Sequence, residues 1–80
     1  MATIEDFKGI MLNIGIEEGL VRELKPAQPI AGRLMDSVDY PAFLAAVEER
    51  FGVRIEDRYA LKLKSLNDFM NYVNEGETAR

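Results

Sequence analysis

Residues 34–57 read LMDSVDYPAFLAAVEERFGVRIED, and this stretch decides the fold. Phe43, Leu44, Val47 and Phe51 recur at i, i+1, i+4 and i+8, which draws one apolar stripe along a helix. Glu48, Glu49 and Arg50 fall mostly on the other face. Gly52 stands where a left-handed residue ends a helix. Val53 and Ile55 flank Arg54 in an extended step back onto the core. Asp57 is placed to cap a short helix over about 57–62, with Tyr59 and Leu63 available for burial.

Working outward from this stretch, Ser65 with Asp68 three residues on opens a last helix. Leu66, Phe69, Met70 and Val73 follow at i, i+3, i+4 and i+7. Gly76 is the expected stop, with 77–80 as a frayed tail. Toward the start, Thr3 and Asp6 form a capping-box pattern, with Asp in place of the usual Glu or Gln. Ile4, Phe7, Met11 and Ile14 make one helical face with Gly15 as its stop, so the spacing predicts a helix over about 3–14. Gly15, Gly19, Pro26, Pro29 and Gly32 punctuate the segment between this helix and Met35. Ile16, Leu20, Val21 and Leu24 keep helical spacing, so 16–24 reads equally as a short helix, a continuation of the first, or a pinned loop. Pro26 to Arg33 is the most loop-like stretch, with Ile30 as its anchor into the core. The expected fold is all-α. It is a small four-helix bundle with a long first loop and a short third helix, one domain over 1–80. Single helices of this length are marginal in water, so the apolar faces need one another.

Composition narrows the function. With no cysteine, the chain has no disulfide, thiolate nucleophile or Cys-based metal site. With no histidine, it lacks the usual general base at neutral pH. Ten Lys and Arg against 14 Asp and Glu give a net charge of −4, which argues against a nucleic-acid partner and favours basic ones. No apolar run reaches the roughly 20 residues that span a bilayer. The first ten residues carry acids where a secretory signal would be basic. The expectation is a cytoplasmic protein with no membrane insertion. So small a domain is a poor place for a deep active site built from its own side chains, and chemistry done here would use a borrowed group.

The unusual feature is Asp36-Ser37-Val38-Asp39 at the mouth of the central helix. Taken alone, Asp or Ser before a helix is a cap. The whole window says more. Acids at 36 and 39 bracket the serine, Ala42, Ala45 and Ala46 follow, then a Glu-Glu pair and a Phe-Gly-Val-x-Ile exit. This combination resembles the acyl carrier protein family, whose motif is Asp-Ser-Leu at the start of the second major helix. The match runs from about Leu34 to Val73, while the first 33 residues match in length and helix placement only. By this resemblance Ser37 carries 4′-phosphopantetheine, making the chain a phosphoprotein, with Asp36 and Val38 flanking the attachment. Length and acidity suit a free-standing member.

The residues support this in their own terms. A serine at a helix N-terminus is exposed, and backbone N–H groups and the helix dipole there favour a phosphodiester. Without a neighbouring base the hydroxyl is a poor nucleophile, which suits a residue modified by another enzyme. The missing thiol then comes with the prosthetic arm. The acids Asp36, Asp39, Glu48 and Glu49 on or near this helix suit docking of basic partner patches, and the resemblance implies that role for Asp36, Asp39 and Glu48. Met35, Tyr40 and Ala45 are further candidate contacts around the arm. The small residues Ala42, Ala45 and Ala46 leave room for a chain beside the helix, and equally suit simple helix propensity.

Three departures from the family pattern stand out. Leu34-Met35 precedes Asp-Ser directly, where the family has Leu-Gly-x. Val38 replaces Leu after the serine. Pro41 lies early in the helix, where it removes an N–H and disfavours helical geometry at Tyr40. Regular helix is therefore expected from Asp39 or Tyr40, with Ser37 in a looser turn. Arg50, Arg54, Arg58, Lys62 and Lys64 make the third-helix region mixed in charge. They either balance the nearby acids or select a partner.

The expected function is a carrier, not an enzyme, serving fatty-acid, lipid or specialised-metabolite biosynthesis, with the departures leaning toward a specialised member. Its partners are a phosphopantetheinyl transferase and acyl-loading, transferring or condensing enzymes, and it is expected to be a monomer. An aminoacyl cargo is the alternative within the fold. The alternative of another class is an unmodified helical interaction module. A calcium loop fails, because Asp36 and Asp39 lack the further ligands and fixed glycine. No metal is expected.

Overall fold

The computed structural model describes residues 2–30 and 34–78. Among these residues five helical segments succeed one another: α1 (Ile4–Asn13), α2 (Glu18–Glu23), α3 (Asp39–Phe51), α4 (Asp57–Ala60) and α5 (Leu66–Thr78). Among the described residues there is no strand. The all-α bundle of α1, α3, the short α4 and α5 is as expected, and α2 sits inside the long first connection.

Thr3 opens α1. The Asp6 N–H donates to Thr3 Oγ1 at 3.3 Å, and the Thr3 N–H donates back to Asp6 Oδ2 at 3.0 Å, so Asp serves the capping box here. Phe7, Ile10 and Met11 are buried, a wider face than the expected stripe. The helix ends at Ile14, and Gly15 turns away at φ 96°. The ambiguous 16–24 resolves as a helix of six residues flanked by buried Ile16 and Leu24, with Val21 inside it also buried.

The connection after α2 is stitched to the far end of the chain. Ile30 is fully buried, and its N–H donates to the Lys64 carbonyl at 2.9 Å. The Asn67 N–H donates to the Pro26 carbonyl at 3.0 Å. Gly32 and Arg33, read as part of this loop, lie outside the described residues.

At the far end of α3, Gly52 adopts φ 65° and ψ 31°, the left-handed stop expected of it. Three readings further on need correcting. Glu56, not Asp57, stands before α4, whose regular turn ends at Ala60 rather than 62. Tyr59 stays exposed, its ring tilted against that of Tyr72 with centroids 5.6 Å apart, because one helical turn is too short to aim both Tyr59 and Leu63 inward. Leu63 is the one that is buried. Gly76 does not stop α5, which continues to Thr78. A helical glycine costs only about 1 kcal/mol relative to alanine, too little to end a helix by itself. Of the expected frayed tail, 79–80 lie outside the described residues.

At the start of α5 the predicted pair is made. Asp68 Oδ2 accepts from the Lys64 and Ser65 N–H groups at 2.9 and 3.2 Å, and the Asp68 N–H donates to Ser65 Oγ at 3.4 Å. Aromatic rings from three helices fill the centre. Phe43 lies edge-on to Phe69 at 5.1 Å, Phe7 lies 6.2 Å from Phe69, and Phe51 lies 5.3 Å from Phe7. Phe7, Phe43 and Phe69 are fully buried, and each such ring contributes about 1.5–3 kcal/mol. No helix among the described residues is long and apolar enough to cross a membrane.

Candidate functional site

The turn from Asp36 to Pro41 is built by one carboxylate and one missing donor. Asp36 Oδ1 accepts from the N–H groups of Val38 and Asp39, both at 2.8 Å. The bond from Asp39, then that from Val38, hold the Asp36 carboxyl below its ordinary value, since they favour the ionised form. The Tyr40 N–H donates to the Asp36 carbonyl at 3.0 Å. Pro41 has no N–H, so the next rung, to the Ser37 carbonyl, is absent and the regular ladder starts at Asp39. This agrees with the expected start and refines its reason. Val38 already has helical torsions (φ −90°, ψ −44°), so the turn is loose in hydrogen bonding rather than in path. Tyr40 is helical despite preceding proline, and Pro41 falls in the first turn, where N–H groups lack intrahelical partners in any case.

Ser37 is exposed at the outside of this turn, and its hydroxyl makes no hydrogen bond among the described residues. Val38 beside it is 75% exposed. The turn's backbone donors are less free than the sequence implied, because Asp36 occupies those of Val38 and Asp39. An anion on Ser37 would meet the positive end of α3 without those two N–H groups.

Met35 and Tyr40 are not surface contacts for an arm. Met35 is buried. Tyr40 is a strut: its Oη–H is shared between the carbonyls of Leu63 at 2.8 Å and Ala60 at 3.1 Å, and its ring meets Phe69 edge-on at 6.3 Å. Burial, then the nearby Asp68 carboxylate, push the Tyr40 phenol above its ordinary value. The strut bolts the turn that presents Ser37 to the α4–α5 connection. Its only trace in the sequence is an aromatic residue at the helix mouth.

The four candidate acids do not form one cluster. Asp36 and Asp39 stand at the start of α3 and Glu48 and Glu49 near its end, about 13 Å along the axis at 1.5 Å per residue. At 3.6 residues per turn, Glu49 lies closer to the Asp39 face and Glu48 on the opposite side. Glu48 is half-buried, and its Oε2 accepts from the Ile55 N–H at 2.7 Å, closing the exit from α3. Asp39 is half-exposed and Glu49 exposed. Ala42 and Ala45 face solvent, and Ala46 packs against the core. No group of three or more acids among the described residues is arranged to hold a metal ion.

No family model matches the chain. Comparison with curated proteins finds similarity to an acyl carrier protein of Campylobacter jejuni subsp. jejuni, 33% identical over 92% of this chain and 95% of that one. An acyl carrier protein of Helicobacter pylori is 28% identical over 99% of this chain and all of its own length. One of Thermosynechococcus vestitus is 44% identical over 49% of this chain and 48% of its own.

Proposed function

From the premise that the chain belongs to the acyl carrier protein family, we propose that it carries acyl groups on a 4′-phosphopantetheine arm attached to Ser37. The observation that carries this reading is the Ser37 hydroxyl, exposed and unbonded among the described residues, on a turn that Asp36 and Tyr40 hold in place. The site suits the group, since a phosphodiester needs solvent and Ser37 is exposed, with the dipole of α3 but not the Val38 and Asp39 N–H groups left to favour it. When bound, the group supplies the thiol that holds the acyl cargo as a thioester, in a chain with no cysteine of its own.

The chain's own residues do three things. Asp36 keeps the turn in shape through the Val38 and Asp39 N–H groups. Tyr40 ties that turn to the α4–α5 connection, so that Ser37 is offered from a fixed position. Exposed Val38, with Asp36, Asp39 and Glu49, forms the docking surface for enzymes with basic patches, while Glu48 mainly serves the fold. Docking of this kind raises encounter rates and weakens with salt. The partners are a phosphopantetheinyl transferase and the enzymes that load, condense or transfer the acyl group in fatty-acid, lipid or specialised-metabolite biosynthesis. The protein works in the cytoplasm as a monomer and is not itself an enzyme.

Incubation with coenzyme A and a broad-specificity transferase tests this by intact mass. A gain of one phosphopantetheinyl group, lost in Ser37→Ala, is expected. No gain with several transferases would leave the chain as an unmodified helical interaction module.

A further inference from the structure

Resting on the carrier reading, we propose that Tyr40 is a specificity-determining residue: it latches the bundle shut beside Ser37, so that an acyl group on the arm rides at the surface, and apolar and polar cargoes are carried alike. Ser37 stands at one edge of the gap between the start of α3 and the α4–α5 connection, and Tyr40 spans that gap. The Tyr40 N–H donates to the Asp36 carbonyl at 3.0 Å, one helical turn from the residues that present Ser37. On the facing side its Oη–H is shared between the carbonyls of Leu63 at 2.8 Å and Ala60 at 3.1 Å.

Both sides of the gap are fixed. Asp36 Oδ1 ties down the Val38 and Asp39 N–H groups, and Pro41 locks its own φ directly after Tyr40. Across the gap, the Lys64 carbonyl accepts from the Ile30 N–H and the Lys64 N–H donates to Asp68 Oδ2, both at 2.9 Å. Behind the latch the space is occupied. The Tyr40 ring meets Phe69 edge-on at 6.3 Å, Phe43 meets Phe69 at 5.1 Å, and Met35, Phe43, Leu66 and Phe69 are fully buried. Folded cores are close-packed, so an acyl chain entering here must displace apolar groups like itself. What the chain gains by leaving water the displaced ring loses, and the phenol hydroxyl forfeits its two carbonyls. Entry is unfavourable on balance. A hydroxyl or charged group on the cargo, which a buried site would exclude, is as well tolerated at the surface as a methyl.

The test loads the full chain with amide-linked acetyl-, octanoyl- or 8-hydroxyoctanoyl-pantetheine, using a transferase and the coenzyme A analogues. Cargo buried only in the folded state would raise the melting midpoint. In the wild type the three forms are expected to melt together, with no octanoyl-minus-acetyl differences in the NMR spectra at residues 43, 66 and 69. In Tyr40→Ala the octanoyl form is expected to melt above the acetyl form, and differences appear at those residues. If that variant does not fold, Tyr40→Phe, which loses only the hydroxyl, decides in its place through differences at 63 and 69. Wild-type differences at 43, 66 or 69, a wild-type octanoyl form that melts higher, or a deciding variant that shows no differences would each overturn the proposal. Intact mass separates the two levels: without loading, the Ser37 reading itself fails and the latch proposal falls with it.

Discussion

The two ends of α3 use the same chemistry to opposite effect. At each end a carboxylate accepts backbone N–H groups: Asp36 from Val38 and Asp39 at the start, Glu48 from Ile55 at the exit. At the exit everything is closed. Gly52 turns left-handed, the Val53 N–H donates to the Glu48 carbonyl at 3.2 Å, and buried Ile55 pins the chain to the core. At the start one rung is missing at Pro41 and a serine hydroxyl is left facing outward. The exit is a joint in the fold, while the start is a held turn with an exposed serine, the place where the proposed function puts the prosthetic arm. An acid on this helix therefore cannot be assigned to docking by its position in the sequence alone.

If the exit is the structural end, Glu48→Ala should have the larger effect on stability. It leaves the N–H of a buried residue without its partner, which costs about 1–3 kcal/mol. In a domain of this size each kcal/mol lowers the melting midpoint by about 4–8 °C, read by thermal circular dichroism. Loading at Ser37 should be unchanged. A Glu48→Ala protein that is fully stable but docks poorly would reverse the assignment of the two ends.

Asp36→Asn acts at the held turn and should show in acid. The folded Asp36 carboxyl lies below its ordinary value of 3.8, so its contribution is present above that value and is lost as pH falls through the lowered folded one. The variant should lose some stability at pH 7 and show a shallower fall as pH drops below that ordinary value. Asp6, lowered mainly by the Thr3 backbone N–H, keeps its own share of that acid slope in both proteins. Equal slopes in the two proteins would show that the cap bonds do not hold the turn.

Pro41→Ala should be the mildest change. It restores a donor to the Ser37 carbonyl, and hydrogen exchange at residue 41 should show protection. Stability should move by less than about 1 kcal/mol, because the added rung is offset by a more flexible unfolded chain. A large gain in stability would mean that the proline holds the turn under strain.

Much of this was legible in the sequence wherever the interaction is local. The Thr3–Asp6 box, the Ser65–Asp68 pair, the Gly52 stop and the apolar stripes each lie within one or two turns. Pro41 shifted the ladder as a missing donor must. What was hidden depends on contacts between distant residues. Tyr40 meets carbonyls 20 and 23 positions away, and Ile30 meets Lys64 across the bundle. Nothing local marks Met35 as core or the Ile55 N–H as the partner of Glu48. Gly76 misled because a glycine's weak helix preference was read as a stop, whereas the stops at Gly15 and Gly52 take positive φ.

The central claim is that the arm sits on Ser37 and nowhere else. The chain has two serines, and Ser65 is buried at the cap of α5. Trypsin releases residues 34–50 as one peptide, in which Ser37 is the only serine and no threonine occurs. Tandem mass spectrometry of that peptide after transfer from coenzyme A is the most direct measurement. The account predicts the whole phosphopantetheinyl mass on the fragment containing Ser37. A modified protein whose 34–50 peptide is unmodified would contradict it.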